Sequence, residues 1–522
     1  TDGETCGAVL DRNGLRPSRY YVTKGGLVIM ASEVGVVPVD EADIAYKGRL
    51  QPGKMFLIDI NEGRIISDEE IKTKIATQKP YKKWVEKNQV NLKDLPESDF
   101  KFEVDFDSIL TRQIAFGYTV EDIKFIIAPM IGTAMEATGS MGNDSPLAIL
   151  SQKPQLLFNY FKQLFAQVTN PAIDSIREEL VMSMEVSLGK EQNLLDESPE
   201  HCRKLKVEHP ILTGKEMDKI RKLNQEGLKP VVLSTLFPVS EGEQGVERAL
   251  DALCKNASKA IDEEATILIL SDKGVDANNA ALPSLLAIAC VHHHLLRERT
   301  RTRVGLVVET GEAREMMHFA LLIGYGAGAV YPYLAYETVA EIANEAVYIS
   351  KLDAETAVSN FIKSTRKGLF KIIAKMGIST IQSYRGAQIF EAVGLGEEVI
   401  ERFFTGTPSR VSGASLNVLA KEALVRHKKA FSSDRSSLLD LGGHYQWRRG
   451  EEKHMLNPNA IGLLQHATRS NDYATFKKFS QHADMESTRQ CTLRGLFNFK
   501  KATPIPISEV EPLVEITKRF CT

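Results

Sequence analysis

The stretch VGLVVETGEAREMMHFALLIGYGAGAVY, from Val304 to Tyr331, decides the fold class of this chain. Residues 304–308 form a short and continuously apolar run, which is typical of a strand buried on both faces. Residues 313–323 have the apolar spacing of a helix, and a glycine-rich segment then leads into a second apolar run at 329–331. A strand, a helix and a strand in this order predict a βαβ unit with parallel strands.

The same alternation continues on both sides of this unit. Further strands are predicted at 231–236, 266–270 and 379–381, and further helices at 245–263, 283–299 and 337–346. Five successive βα-like units predict an α/β fold: a central degenerate (β/α) barrel-like domain of parallel strands, with an added helical region. An open, doubly wound sheet is the alternative that this pattern leaves open.

Composition and charge narrow the class of protein. Apolar residues make up 43% of the 522 residues, charged residues 25%, and the net charge is −3, the balance of a globular protein in water. This charge gives no electrostatic reason to expect nucleic acid or an anionic membrane as a partner. The longest apolar runs are far below the roughly 18 residues of a membrane span. Six scattered cysteines without a CxxC motif predict reduced thiols in an intracellular protein.

The first 75 residues are predicted to be rich in strands. Ala8–Leu10 runs into Asn13-Gly14, and Tyr20–Val22 follows, which together predict a β-hairpin. Ser67 followed by three acidic residues predicts the start of a helix. Residues 76–110 are highly charged and are interpreted as an exposed connector with short helices.

Residues 110–200 are predicted to be helical. Asp144-Ser145-Pro146 has the composition of a helix start. Residues 154–165 place apolar side chains at helical spacing, and another helix is predicted after Asn170-Pro171. Towards the end of the chain, helices are predicted after Asn457-Pro458 and in the last dozen residues.

Several motifs resemble chemical sites but have a simpler structural explanation. Cys6 lies on a predicted strand, His292–His294 diverge by about 100° per residue on a helix, and Gly324–Gly328 follows a helix instead of a strand. Ser271-Asp272 and Glu309-Thr310 follow strands, where barrel enzymes place catalytic groups, but helix capping is the preferred interpretation. We therefore assign no catalytic, cofactor-binding or metal-binding residue in this chain.

Two polar loops are the remaining candidates for function. One precedes a predicted helix and the other interrupts two apolar helices. Helix termination explains much of each loop, and a functional interpretation places them at an interface along which a small polar molecule passes. The candidate tunnel or interface residues are Ser140, Asn143, Asp144, Gln167, Thr169 and Asn170.

Long phrases of the sequence resemble one family from end to end. Leu10–Val22, Val28–Val37 and Lys47–Asp59 resemble the end of the class II glutamine amidotransferase domain of glutamate synthases. Three longer segments resemble the central domain of that family, and two phrases near the end resemble the approach to its FMN-binding barrel. These segments are Ser140–Glu185, Val291–Ala335, Lys375–Ser415, Arg494–Lys500 and Glu509–Thr522.

The resemblance implies a division of the chain into four parts. Residues 1–75 would be the β-rich remnant of the class II amidotransferase domain, and residues 76–110 a connector. Residues 111–425 would be the central domain, and residues 426–522 a linker and the start of the FMN-binding domain. On this basis the chain is expected to be a middle piece, with the catalytic cysteine before Thr1 and the cofactor residues after Thr522.

The resemblance also implies a function. Glutamate synthases make L-glutamate from glutamine-derived ammonia and 2-oxoglutarate by flavin-dependent reduction. This piece would be scaffold and ammonia-tunnel wall between the two active sites, inactive alone, with no cofactor of its own. FMN and an iron–sulfur cluster are implied for the full-length enzyme. The flanking amidotransferase and FMN domains would be its partners, in the cytoplasm or a plastid.

Two other classes of function stay open on the residues alone. A self-contained barrel enzyme acting on a small polar metabolite would need a complete set of strands and a clustered catalytic constellation. A pure interaction protein would need neither. The sequence does not indicate the electron donor, the compartment or the oligomeric state.

Overall fold

The computed structural model describes residues 1–11, 14, 16–139, 142–164, 172–433, 438–484 and 491–520. The chain divides into two compact units. The large unit comprises Thr1–Ser140 and Pro154–Leu441, and the small unit comprises Met141–Lys153 and Gly442–Thr522. The small unit therefore brings together segments that are about three hundred residues apart in sequence.

The strands of the described chain lie in the large unit. They are β1 (Thr5–Ala8), β2 (Arg19–Thr23), β3 (Val28–Ala31), β4 (Ile44–Arg49), β5 (Phe56–Asp59), β6 (Arg64–Ile66), β7 (Val90–Asn91), β8 (Phe161–Gln163), β9 (Val186–Leu188), β10 (Leu205–Val207), β11 (Pro230–Ser234), β12 (Leu236–Pro238), β13 (Ile267–Ser271), β14 (Asn279–Ala281), β15 (Gly305–Glu309), β16 (Ala329–Tyr331), β17 (Phe390–Leu395) and β18 (Ser409–Ala414).

The α-helices occur in both units. Those of the large unit are α1 (Asp68–Thr77), α2 (Tyr81–Asn88), α3 (Ile109–Ala115), α4 (Ala128–Thr133), α5 (Glu178–Val181), α6 (Gly214–Arg221), α7 (Gly242–Asp262), α8 (Ser284–Arg297), α9 (Met316–Gly324), α10 (Tyr333–Glu345), α11 (Ala354–Lys375), α12 (Ile381–Tyr384), α13 (Glu397–Phe403) and α14 (Leu416–Phe431). The small unit holds α15 (Pro458–Ser470), α16 (Tyr473–His482) and a last helix over Leu513–Phe520. None of the described helices has the length and apolar composition needed to cross a membrane.

The centre of the large unit is a parallel sheet in the order β11-β13-β15-β16. Every residue of β13, β15 and β16 is buried, as their continuously apolar sequences predict. Helices α7, α8 and α9 connect successive strands, and α10 follows β16. The predicted mixed α/β architecture with parallel strands is therefore confirmed for these four strands.

The predicted fifth strand at 379–381 is wrong. Helix α12 begins at Ile381, and Thr380 forms only an isolated bridge with Ser183. Among the described residues the named parallel strands are β11, β13, β15 and β16, an isolated parallel bridge joins Ile211 to Val330 beside β16, and a closed barrel is not confirmed. A run as short as 379–381 does not distinguish a strand from the first turn of a buried helix.

The predicted hairpin near the start of the chain is also wrong. Strand β1 pairs with β5, with Ala8 opposite Phe56, whereas β2 lies between β3 and β4 in a separate antiparallel sheet. The turn itself is present, because the Gly14 N–H donates to the Asp11 carbonyl at 3.0 Å and Gly14 has φ +62. A turn residue fixes the local backbone but does not choose the partner strand.

The long helix predicted over residues 154–165 is not present in its described part, residues 154–164. A single 3₁₀ turn covers Leu157–Tyr160, and β8 follows at once. Phe158 and Phe161 are almost fully buried, and the Phe161 ring centroid lies 4.9 Å from that of Phe404. These apolar residues are therefore buried in the core, although they do not form a helix.

The next two predicted helices are also shorter than expected. The structure places no helix start at Asp144-Ser145-Pro146, and only a 3₁₀ turn over Ala148–Leu150 follows. After the segment 165–171, which lies outside the described residues, α5 covers only Glu178–Val181.

Two other predicted helix starts are confirmed, and each has a capping side chain. The Ser67 side chain accepts from the Glu70 N–H at the start of α1. The Asn457 side chain accepts from the Ala460 N–H at the start of α15. These signals are local, because the cap and its donor are within three residues of each other.

Candidate functional site

The structure describes two of the six predicted tunnel or interface residues, Asn143 and Asp144. The other four, Ser140, Gln167, Thr169 and Asn170, lie outside the described residues. Asn143 and Asp144 belong to the first segment of the small unit and contact its second segment, which begins at Gly442.

Asn143 organises a turn against His444. Its Oδ1 accepts hydrogen bonds from the backbone N–H of Ser145 at 2.9 Å and from the Ser145 hydroxyl at 2.6 Å. The two ring nitrogens of His444 lie 3.1 Å from Asn143 Nδ2 and 3.2 Å from Ser145 Oγ. Asn143 therefore connects its own turn to a residue 301 positions later.

Asp144 binds the segment 454–456. Its carboxylate accepts from the Leu456 N–H at 2.9 Å and lies 2.8 Å from His454 Nδ1. Although burial raises the pKa of the Asp144 carboxyl, the hydrogen bonds from Leu456 and His454 lower it overall. Asp144 is thus an anion in the folded protein and holds two distant segments together.

His454 has acceptors at both ring nitrogens. Nδ1 faces the Asp144 carboxylate, and Nε2 lies 2.7 Å from the Gly443 carbonyl oxygen. The ring of His454 therefore lies between the Asp144 carboxylate and the Gly443 carbonyl oxygen, within hydrogen-bond distance of both.

A second polar cluster lies at the carboxyl ends of the parallel strands. Asp272 follows β13, and its carboxylate accepts from the Thr310 hydroxyl at 2.5 Å and from the Gly311 N–H at 2.9 Å. Glu309, the last residue of β15, contacts both Arg221 and Ser271. These residues connect neighbouring strand ends and do not cap α8 or α9, contrary to the preferred interpretation of the sequence.

One further acidic residue, Glu312, and one basic residue, Arg314, complete this strand-end cluster. Glu312 accepts from the Ser284 N–H at 2.9 Å and from its hydroxyl at 2.6 Å, at the start of α8. The buried guanidinium of Arg314 donates to Asp122 at 3.0 Å and to the Gly117 carbonyl at 2.6 Å. It also lies 4.2 Å from the centroid of the Tyr118 ring.

The electrostatics of the cluster follow from its burial. Desolvation raises the pKa of Asp272 to about 8, although hydrogen bonds from Thr310 and Gly311 oppose this shift. Asp272 is therefore mostly protonated at neutral pH. Asp272, Glu309, Glu312 and Arg314 are each at most 4% exposed and each has a protein partner. This arrangement fixes strand ends and offers no exposed acid, base or nucleophile to a substrate.

Sequence reasoning missed Arg314, Asp122 and His454. Arg314 lies between Glu312 and Glu315 in the polar segment 310–315, so no local signal distinguishes it. The partner of Arg314 is Asp122, 192 residues away, and the partner of His454 is Asp144, 310 residues away. No local signal in the sequence indicates either pairing.

The other motifs that resemble chemical sites in the sequence are explained by their contacts in the fold. Cys6 is exposed on β1 opposite Ile58. His292 Nδ1 accepts from Arg301 at 2.9 Å, while His294 Nε2 lies 2.8 Å from Ser258 Oγ, so the histidines diverge. Gly324 ends α9 and β16 begins at Ala329, which confirms an αβ turn.

The described residues do not fit an iron–sulfur cluster. The Sγ atoms of Cys254 and Cys290 are 3.1 Å apart, but no third ligand joins them among the residues described. A cluster requires four such ligands in most proteins.

Comparison with known proteins shows which family these features belong to. Residues 111–396 match the family described as the glutamate synthase central domain, and residues 1–84 match the class II glutamine amidotransferases. The flavin-binding domain of baker's yeast flavocytochrome b2, a solved structure, aligns at a TM-score of only 0.23, with 15% identity over 39% of this chain and 46% of that chain. That alignment carries no argument.

Three curated relatives match the whole chain. The glutamate synthase [NADPH] large chain of Bacillus subtilis is 49% identical, and the glutamate synthase [NADH] of Schizosaccharomyces pombe is 42% identical. The chloroplastic ferredoxin-dependent glutamate synthase of Oryza sativa is also 42% identical. The chain spans 34%, 25% and 33% of the lengths of these relatives, respectively. The chain belongs to the glutamate synthase family.

Proposed function

We propose that this chain acts within a glutamate synthase as the scaffold between a glutamine-hydrolysing site and a flavin-dependent site, and as part of the wall that guides ammonia between them. The observation that carries the proposal is the match of the entire chain to enzymes named for three electron donors, NADPH, NADH and ferredoxin. A region shared by all three serves a step that does not depend on the donor.

The strand-end cluster supports a scaffold role. Its carboxyl groups and guanidinium are buried, and each is hydrogen-bonded to another part of the protein, which favours a fixed geometry over binding or release of a substrate. A self-contained barrel enzyme acting on a small metabolite is the second candidate. The burial of Asp272 and Glu309 at the usual catalytic positions argues against that candidate.

We assign the ammonia path to the two polar loops. Ammonia that reaches bulk water near neutral pH is protonated and lost, so a channelled reaction needs a closed route. Asn143 and Asp144 supply polar groups at one loop, and Ser140 is beside them in sequence. Gln167, Thr169 and Asn170 supply the hydroxyl and amide groups of the second loop.

The test uses the protein in its natural length. Thr169→Ala/Asn170→Ala is compared with Thr73→Ala/Asn256→Ala, an equivalent pair at exposed positions. We expect the first pair to release free ammonia during glutamine-dependent glutamate synthesis and the second pair to behave as the unmodified protein. Complete coupling of glutamine hydrolysis to glutamate synthesis in the first pair would refute the assignment of this loop.

The finer architecture is part of the same proposal. The strands β11, β13, β15 and β16 are neighbours in the sheet in the same order as in the chain. A doubly wound sheet reverses this order at one point, so the observed order favours a degenerate (β/α) barrel origin. The boundaries at 75, 110 and 425 divide the amidotransferase remnant, the connector, the central domain and the approach to the FMN-binding domain. Limited proteolysis should cleave near these boundaries first if they separate independent domains.

Cofactors, partners and location complete the proposal. FMN and the iron–sulfur cluster bind to other parts of the enzyme, and the amidotransferase and FMN domains are the partners of this chain. Its free cysteines favour an intracellular compartment, either the cytoplasm or a plastid.

A further inference from the structure

A cavity of about 950 Å³ opens on the large unit, away from the strand-end cluster. Three segments form most of its wall: residues 100–102 of the connector, residues 213–215 at the start of α6, and one face of α11. Glu179, His209 and Tyr336 complete the wall. The volume lies within the range of small-molecule sites in proteins, roughly 300–1,000 Å³.

The wall of this cavity is cationic. Lys101, Lys215, Lys363, Arg366 and Lys367 line it, against two carboxylates, Glu179 and Glu355. None of the five cations forms an ion pair with another described residue. The chain as a whole has a net charge of −3, so this excess of positive charge is local.

Three of these cations share one face of α11. Lys363, Arg366 and Lys367 have the i, i+3 and i+4 spacing at which side chains on a helix are neighbours. Like charges at this spacing destabilise a helix unless an anion lies between them. Lys363 and Lys367 are exposed and Arg366 is half-buried, so a bound anion can reach all three cations from the cavity.

His209 adds a directional polar group to the same wall. Its Nδ1 is buried and has no hydrogen-bond partner among the described residues. Burial and the positive charge of Arg366 lower the pKa of the ring. The Nδ1 atom can therefore form a hydrogen bond with a bound molecule.

Aromatic rings form the apolar part of the wall. Phe100, Phe102, Tyr336 and Phe370 line the cavity together with the cations. The Phe100 ring lies directly on the first residue of α6, because a Cβ on Gly214 would be 2.3 Å from Phe100 Cε1. Flat apolar surfaces beside cations suit a ligand with a ring at one end and negative charge at the other.

We propose that this cavity binds a small organic polyanion with a flat ring, of the nucleoside polyphosphate kind. Arg366 and the lysines of α11 hold the phosphate groups, and the phenylalanine rings contact the base. Arginine forks and lysine ammonium groups are the usual ligands of phosphate. This inference goes beyond the scaffold role and does not depend on it.

The test measures the binding of ADP to the protein in its natural length by isothermal titration calorimetry. We expect Lys363→Ala/Arg366→Ala to weaken ADP binding at least about tenfold, since it removes charge-assisted hydrogen bonds to phosphate. Lys375→Ala removes a cation from the same helix but outside the cavity, and should leave the affinity within about twofold. Pyrophosphate alone and adenosine alone should each bind more weakly than ADP.

A second measurement does not depend on the folding of a variant. Bound ADP should protect Lys363 and Lys367 from acetylation by an amine-reactive reagent, as read by mass spectrometry, and should leave Lys375 unprotected. Equal protection of all three lysines, or equal ADP affinity in the double variant and the unmodified protein, would overturn the site. Pyrophosphate binding as tight as ADP binding would overturn the contact with the ring.

Discussion

Asp144 and His454 are 310 residues apart in the chain, and a hydrogen bond of 2.8 Å joins the Asp144 carboxylate to His454 Nδ1. The histidine is almost fully buried, and its second nitrogen is bound to the Gly443 carbonyl oxygen. The carboxylate also accepts from the Leu456 N–H. One short loop is thereby attached to a segment much later in the sequence within the small unit.

Removal of the Asp144 carboxylate should loosen the small unit. Asp144→Ala leaves the His454 Nδ1–H and the Leu456 N–H without their acceptor, at a cost of about 2 kcal/mol. We expect faster hydrogen exchange at the Leu456 amide and a lower free energy of unfolding. Asp484→Ala, which removes an exposed carboxylate from the same unit, is the control and should change neither. Unchanged exchange at Leu456 in Asp144→Ala would show that the pair does not hold these segments together.

Removal of Arg314 should destabilise the large unit strongly. Arg314→Met leaves the buried Asp122 carboxylate without its counter-ion, and losing one partner of a buried pair costs about 3–5 kcal/mol. Arg402 also pairs with acidic residues, but all of these partners are substantially exposed. Arg402→Met should therefore cost less than about 1 kcal/mol in the same urea unfolding experiment. Similar costs for the two variants would contradict the buried network.

Arg314→Lys separates charge from geometry. Lysine keeps the positive charge but cannot donate to Asp122 and to several carbonyl oxygens at the same time. We expect a free energy of unfolding between those of the unmodified protein and Arg314→Met.

The stability of the large unit should depend on pH through Asp272. Its pKa is about 8 in the folded protein and near 3.8 when unfolded. Between these values the folded state binds one more proton than the unfolded state, so this group lowers stability as the pH rises. We subtract the free energy of unfolding of Asp272→Asn from that of the unmodified protein. This difference should fall by at most about 1.4 kcal/mol per pH unit from pH 5 to pH 8. A flat or rising difference would show that the carboxyl is ionised throughout.

The turn after α9 should tolerate only glycine at position 326. Gly326 has φ +117, and a Cβ there would lie 2.4 Å from His292 Nδ1. Gly326→Ala should therefore cost about 3 kcal/mol from backbone strain and overpacking together. Gly386 has φ +73 and no atom within 4 Å of an added Cβ. Gly386→Ala should cost only about 1 kcal/mol, measured by the same unfolding assay.

The sequence by itself determined the features that depend on neighbours in the chain. The apolar runs predicted as strands at 266–270 and 304–308 lie in β13 and β15, because burial on both faces needs no particular partner. Ser67 and Asn457 cap helices by accepting hydrogen bonds from backbone N–H groups three residues later. Gly326 lies after a helix and before a strand, and this order predicts an αβ turn. The family resemblance also depends only on residue order.

Only the tertiary structure decided which distant segments meet. β1 pairs with β5 and not with β2, although a turn signal follows β1, because a turn does not choose the partner strand. Phe158 and Phe161 have helical spacing but lie in a 3₁₀ turn and a strand, since the core around Phe404 buries them from several sides. Asp144 contacts His454, 310 residues away, and Asp122 contacts Arg314, 192 residues away. These contacts depend on burial and charge in the folded protein, and no local sequence pattern predicts them.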